Sequence, residues 1–209
     1  MERRLAIKKY CDLVGIDCHL PGIAGAYQGK KLIICGDAYN IWIDLENFGC
    51  KSTKGRGGVY KDGWDMMTLN KLVQVFPGNI EHTYSNHIEC LKTALASRRE
   101  EYRKDFIEPR NSHSCFAGMQ WKWPWSGHGT SALGACLAAL AMGYSEIMLA
   151  GIPMDDKHHN GEPDWRRCVF ETKDRVSENE RIKAHWDKAM KVFDGKVRSL
   201  SGRTREWLA

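Results

Sequence analysis

The stretch TSALGACLAALAMGYSEIMLAGI, residues 130–152, decides the fold of this chain. Thr130 to Met142 is apolar nearly all round, a pattern typical of a helix buried against a sheet. Gly143 predicts the turn that ends this helix. Glu146 to Ile152 is an almost continuous apolar run, as expected of a strand in a parallel sheet that is covered on both faces. The stretch therefore predicts a helix and a strand of a parallel α/β sheet.

Strands and helices alternate along the rest of the chain. Strands are predicted at residues 31–36, 64–70, 80–87 and 197–201, with a weaker candidate at 112–116, and helices at 41–48, at 91–106 and from Ser177 onward. This alternation predicts the α/β class: a single-domain, doubly wound, mostly parallel sheet of Rossmann-like type with helices on both faces. Within that one domain, residues 1–209, we expect an N-terminal helical extension at 1–28 and a flexible Gly-rich loop at 51–63.

Composition narrows the class of protein. A chain of 209 residues with 43% hydrophobic content suits one compact domain. No apolar run is long enough to cross a bilayer, so we expect no membrane span. The first residues lack the apolar core of a signal peptide, which predicts a cytoplasmic protein. The eight cysteines are irregularly spaced, which favours reduced thiols, and a net charge of +5 fits an anionic ligand.

Polar residues and glycines follow the predicted strands where each strand ends. These residues are Gly36, Asp37, Asn70, Ser85 to His87, Gly151 to Asp155, Ser199 and Ser201. Ligands of open parallel sheets bind at the carboxyl ends of the strands, so these residues form the candidate site. Polarity at a strand end is also expected wherever it meets solvent, so the set is more informative than any one member.

The most specific local signal lies directly before the buried helix. Gly129, Thr130 and Ser131 could cradle a phosphate with hydroxyls and backbone N–H groups at the positive end of the helix. The alternative is an ordinary Ser/Thr N-cap after a glycine turn. A dinucleotide pattern through Gly127, Gly129 and Ala132 is weak, because a proline-containing segment precedes it instead of a clean strand.

The loop after the predicted strand at 146–152 concentrates residue types that act as bases and metal ligands. It contains Asp155, Asp156, His158 and His159. A zinc site is disfavoured, because neither a Cys-x-x-Cys pair nor a His-Glu-x-x-His helix is present. Asp155 or Asp156 could hold a divalent cation on a diphosphate, and a solvated polar loop is the alternative.

Three alternating tryptophans, Trp121, Trp123 and Trp125, could stack on a base or a sugar, but we favour packing on the core because large aromatic side chains are usually buried. A serine hydrolase and a P-loop NTPase are excluded, because the sequence has neither a G-x-S-x-G elbow nor a G-x-x-x-x-G-K-[ST] loop. Cys115 and Cys168 have no paired base at a diagnostic spacing, so thiol catalysis is unsupported.

The block from Gly129 to Ile152 resembles the core motif of bacterial lipooligosaccharide sialyltransferases and of the related 6-hydroxymethylpterin diphosphokinase-like proteins. Asp37 stands where these families have a Gly-Asn-Gly-Pro-Ser loop, and Asn70 matches a strand-end asparagine. The resemblance implies that Asp37 and Asn70 contact a nucleotide donor and that Thr130 and Ser131 contact its phosphate. It further implies a general-base histidine beyond Gly151.

His158 or His159 is the histidine that this resemblance suggests. The sequence departs from the family where Pro153 replaces an aspartate and Asp37 replaces an amide, so a donor other than a cytidine sugar, or loss of transfer, stays open. The ending Val197 to Thr204 is similar to that of phage-encoded proteins of the superfamily, which would place the chain in a host cytoplasm.

The leading hypothesis is a nucleotide-sugar-dependent glycosyltransferase that acts by direct displacement with a histidine base. The first alternative is Mg²⁺-dependent diphosphate transfer to a pterin-like alcohol, with Asp155 or Asp156 on the metal. The second is a non-catalytic protein that binds a nucleotide, or, with weaker support, a nucleic acid through Arg198, Arg203 and Arg205. A nucleotide sugar is thus the expected ligand, no cofactor is certain, the acceptor is open, and a homo-oligomer is compatible with the sequence.

Overall fold

The computed structural model describes residues 2–53, 58–98, 100, 102, 108–125, 129–154 and 174–209. Seven parallel strands form the central sheet: β1 Lys31–Cys35, β4 Trp64–Leu69, β5 His82–Tyr84, β6 Asn111–Ser114, β7 Trp121–Lys122, β8 Glu146–Ala150 and β9 Val197–Ser199. Two further strands, β2 Lys51–Thr53 and β3 Gly58–Tyr60, pair antiparallel. The helices are α1 Glu2–Val14, α2 Ile41–Asn47, α3 Ile88–Ala96, α4 Ser131–Met142, α5 Asp174–Phe193 and α6 Gly202–Trp207, and a 3₁₀ helix covers Asn70–Gln74.

The strand order in the sheet is β7-β6-β5-β4-β1-β8-β9, and every neighbouring pair is parallel. The chain builds outward from β1 in one direction through β4 to β7, then returns to the other side of β1 with β8. The order therefore reverses between β1 and β8, where Ile33 pairs with Met148. This confirms the predicted doubly wound parallel sheet and places its topological switch point.

Each face of the sheet has its own apolar core. Alternate β1 residues point to opposite faces: Leu32 and Ile34 join the core under α1, α4 and α5, whereas Ile33 and Cys35 join the core under α2 and α3. Helices on both faces explain why the strands are apolar throughout.

Helix α4 is the most completely buried helix of the described chain, because all twelve of its residues are buried. Thr130 caps its start by accepting a hydrogen bond from Leu133 N–H, and Gly143, with φ +104°, ends it in the left-handed region. Gly134 lets the helix approach β5, since a Cβ built there would lie 2.2 Å from Tyr84 Oη. The small side chains of this helix are thus needed for its contact with the sheet.

Several predicted boundaries differ from the structure. The strand predicted at 80–87 is β5, which is three residues long and not eight. In place of the helix predicted at 91–106, α3 covers Ile88–Ala96. Glu100 and Tyr102 are again helical, and residues 99, 101 and 103–107 lie outside the described residues. Helix α5 begins at Asp174, before the predicted start at Ser177, and the short helix α6 after β9 was not predicted. The tryptophan prediction is confirmed for Trp123 and Trp125, whose exposed fractions are 0% and 2%, since they pack in the core and stack on each other.

Within the described residues, no helix combines the length and apolar character needed to cross a membrane. The seven cysteines that the structure describes are all free thiols. Residues 54–57 of the predicted Gly-rich loop lie outside the described residues.

Candidate functional site

The carboxyl ends of the parallel strands open on one side of the sheet, which we call the carboxyl edge. The structure brings ten predicted site residues to it: Gly36 and Asp37 after β1, Asn70 after β4, Ser85 and His87 after β5, Gly151 after β8, Ser201 after β9, and Gly129, Thr130 and Ser131 at the start of α4. The catalytic and metal candidates Asp155, Asp156, His158 and His159 lie outside the described residues, as do Gly127 and Cys168.

Asn86 joins the end of β5 to the start of α4. Its backbone N–H donates to Ser131 Oγ at 3.0 Å, and its side-chain amide donates to Gly129 O at 3.4 Å. The Cys115 thiol, after β6, donates to Asn86 Oδ1 at 3.2 Å. Three segments that are distant in sequence are thereby held together. The sequence placed Asn86 at the end of the third predicted strand, but it did not predict these contacts.

Ser85 fixes the loop that follows β5. Its hydroxyl donates to Asn70 Oδ1 at 2.7 Å and accepts from His87 N–H at 2.9 Å. Asn70 has φ +50°, a left-handed conformation that is uncommon for a residue other than glycine. Its side-chain carbonyl accepts from Ser85, and its amide nitrogen has no acceptor among the described residues. His87 is exposed, and its backbone is what Ser85 holds.

The two hydroxyls at the start of α4 also keep their hydrogens available. Thr130 Oγ1 accepts from Leu133 N–H at 3.3 Å, and Ser131 Oγ accepts from Asn86 N–H. Neither O–H has an acceptor within the described part of the chain. The backbone N–H groups of Ser131 and Ala132 have no intrahelical acceptor, because they lie in the first helical turn.

These groups form what we call the donor array: the hydroxyls of Thr130 and Ser131, the N–H groups of Ser131 and Ala132, and the side-chain amide of Asn70. All of them donate, and the α4 dipole adds partial positive charge at the same end of the helix. The array can therefore bind an anion such as a phosphate.

Gly36 and Gly151 have a packing role at the switch point. A Cβ on Gly36 would lie 2.4 Å from Gly151 O, and one on Gly151 would lie 2.6 Å from Gly36 O. Gly151 also has φ +63°. Both positions need glycine because the segments after β1 and β8 touch through their backbones.

A buried carboxylate joins the same segments to α6. Asp44 Oδ2 accepts from Gly151 N–H at 2.8 Å, from Ser201 Oγ at 2.7 Å and from Asn40 Nδ2 at 3.1 Å. Asn40 also donates to Ser201 Oγ at 2.6 Å. The predicted pocket residue Ser201 thus belongs to a network with Asp44 and Asn40. One sequence signal points to Asp44 and Asn40, namely that polar residues stand at the start of the helix that follows β1.

A second polar cluster lies across the sheet from the carboxyl edge. Trp123 Nε1 donates to His113 Nδ1 at 3.2 Å, the rings of His113 and His82 are joined at 2.9 Å, and His82 Nε2 lies 2.8 Å from Tyr144 Oη. Tyr144 Oη in turn donates to Asp65 Oδ2 at 2.8 Å. We call this chain of groups the histidine relay.

The indole of Trp123 can only donate, so the protonation of the histidine relay can be assigned from one end to the other. His113 must carry its proton on Nε2 and donate to His82 Nδ1, and His82 must carry its proton on Nε2 and donate to Tyr144. Burial and the neighbouring His113 hold the pKa of His82 well below its usual value. Burial also lowers the pKa of His113 to about 3. Every ring nitrogen is already used, so the cluster is structural.

No group of three or more metal-ligating side chains suited to a metal ion occurs among the described residues. Comparison of the chain with protein-family models, with curated proteins and with solved structures finds no match in any of the three.

Proposed function

We propose that this chain is a nucleotide-sugar-dependent glycosyltransferase of the sialyltransferase-like type, with the donor bound at the carboxyl edge. The observation that carries the proposal is the donor array. It lies where ligands of doubly wound sheets bind, and it consists of groups that hydrogen-bond to an anion.

The donor array fits the demands of glycosyl transfer from a nucleotide. The leaving group is a phosphate, and negative charge builds on its oxygen as the bond to the sugar breaks. Donors that are already oriented stabilise that charge without reorganising. Thr130 is held by Leu133, and Ser131 by Asn86. Both hydroxyls are therefore oriented before the ligand binds.

In this proposal the base comes from the loop that follows β8 in the sequence. His158 or His159 takes the proton of the acceptor hydroxyl as that oxygen attacks the anomeric carbon, with Asp155 assisting. Asp37 and Asn70 contact the nucleotide. The Asp44 network holds the backbone after Gly151, from which this loop continues.

The test is release of nucleotide from a panel of nucleotide sugars, measured with and without Mg²⁺. We expect turnover without added metal and a fall in kcat of at least about 100-fold in the variant His158→Ala with His159→Ala. The matched control is His19→Ala, which changes a histidine of the N-terminal segment. Full activity in the double variant would contradict the histidine base. Mg²⁺-dependent release of a nucleoside monophosphate from a nucleoside triphosphate, in the presence of a pterin-like alcohol, would instead favour diphosphate transfer.

A further inference from the structure

An exposed aromatic ring follows a residue that is hydrogen-bonded toward the donor array. The side chain of Phe116 is 44% exposed, and the ring stacks on no other aromatic ring of the described chain. Phe116 directly follows Cys115, whose thiol bonds to Asn86, and Asn86 bonds to Ser131. Two hydrogen bonds and one peptide unit therefore connect this ring to the array.

The backbone around Phe116 is fixed. Its N–H donates to Ser114 Oγ at 3.1 Å, and Ser114 is fully buried at the end of β6. Gly118 lies near the first turn of α3, where a Cβ built on it would be in ordinary van der Waals contact with Ile88 Cγ2 at 3.8 Å. The backbone that presents the ring is thus anchored to the end of β6.

The other exposed large apolar side chains differ in place or in contact. Leu5 and Leu13 lie on α1 and Ile43 lies on α2, and all three are aliphatic, with no ring on which a base could stack. Trp42 follows β1, but its ring stacks on Phe76 at a centroid distance of 6.2 Å. Phe116 combines an unstacked ring with a connection to the donor array.

A phosphate alone needs no aromatic neighbour, whereas a nucleotide carries a planar base whose face stacks well on an aromatic side chain. We propose that Phe116 is the platform on which the nucleobase of the bound nucleotide stacks. This inference rests on the proposed function and adds to it the residue that distinguishes a nucleotide from other phosphorylated molecules.

Calorimetric titration with two matched probes tests the inference. The first is the set of nucleoside 5′-monophosphates CMP, UMP, GMP and AMP, and the second is ribose 5-phosphate, which has the same sugar and phosphate without a base. The wild type is expected to bind at least one nucleotide more tightly than ribose 5-phosphate.

Phe116→Ala should weaken nucleotide binding at least fivefold, which corresponds to about 1 kcal/mol, the lower end of a base–aromatic stack, and should leave ribose 5-phosphate binding unchanged. Phe116→Trp should restore nucleotide affinity. Thr130→Ala with Ser131→Ala should weaken both probes, and Leu5→Ala, a more exposed apolar control, should weaken neither.

Unchanged nucleotide affinity in Phe116→Ala would overturn the inference, as would an equal loss for both probes, which would place the sugar instead of the base on the ring. The inference would also be overturned if Trp42→Ala, and not Phe116→Ala, lost nucleotide affinity. In each of these cases the wild type still binds nucleotide, so the proposed function stands. A wild type that binds neither probe would overturn both.

Discussion

Asp44 is the residue on which the geometry of the switch point depends most. Its side chain accepts three hydrogen bonds while the residue is only 5% exposed, and the donors come from the loops after β1, β8 and β9. A buried carboxylate of this kind is stable only while its donors stay in place. It therefore couples the loop that leads toward the proposed base residues to the start of α2.

Asp44→Asn should destabilise the fold. The new amide would place an N–H₂ group against other donors, and the remaining hydrogen bonds would lose their charge. We expect the free energy of unfolding, measured by urea denaturation, to fall by at least about 2 kcal/mol. The matched control is Asp62→Asn, an exposed carboxylate paired with Lys51, which should leave the free energy nearly unchanged. Equal stability of the two variants would contradict the role given to Asp44.

At the scale of elements, long apolar runs were predictable from the sequence. Strands β1, β4 and β8 and helix α4 lie where the pattern of apolar residues predicts them. The burial of each of these elements shows in its own apolar residues, so the local sequence is enough to predict it. The prediction of α4 was further helped by its cap at Thr130 and its end at Gly143.

Elements that depend on distant partners were predicted less well. Strand β5, predicted through residue 87, ends at Tyr84 because Ser85 turns toward Asn70. Helix α3 ends before Arg98, whose guanidinium is buried and donates to the carbonyls of Val73 and Gly78. An arginine in an amphipathic pattern predicts an exposed helix position, and nothing local shows that it binds the loop after β4.

In the candidate site, too, local patterns could be predicted and contacts between distant residues could not. Strand ends could be predicted because they come directly after apolar runs, and so Asn70, Thr130 and Ser131 were found. Asn86 was placed at a strand end, but its hydrogen bond to Ser131, 45 residues away, was not predicted. Asp44 was missed, because its partner Gly151 is 107 residues away. Sequence patterns locate the groups at an edge, and tertiary contacts decide which of their atoms stay free for a ligand.

At the scale of the whole molecule, the histidine relay ties β5, β6 and the segment after β7 to the turn that follows α4 and to β4. Both imidazoles are neutral in the folded chain, because burial holds their pKa values below the usual range. Stability must therefore depend on pH.

The sign of this dependence follows from the pKa shifts. As pH falls below about 6.5, the histidines of the unfolded chain bind protons, whereas the buried histidines of the folded chain stay neutral. The contribution of the two neutral histidines to the free energy of unfolding is complete above about pH 6.5. It is lost as pH falls, down to about pH 3 for His113. Two histidines predict a loss of about 4 kcal/mol in the free energy of unfolding between pH 7 and pH 5, which urea denaturation at both values would measure. A flat profile over this interval would contradict the assigned neutral relay.

The central claim is that the carboxyl edge of this doubly wound sheet binds the phosphate of a nucleotide through the start of α4. Titration of the ¹⁵N-labelled chain with nucleoside 5′-diphosphates, followed by NMR, tests it most directly because the reporting groups are the proposed ligands themselves. We predict that the largest shifts fall on the backbone amides of Ser131 and Ala132 and on the side-chain amide of Asn70, and that they vanish in the variant Thr130→Ala with Ser131→Ala. Absence of shifts with every nucleotide, or shifts that centre on Asp65 and His82 across the sheet, would contradict the claim.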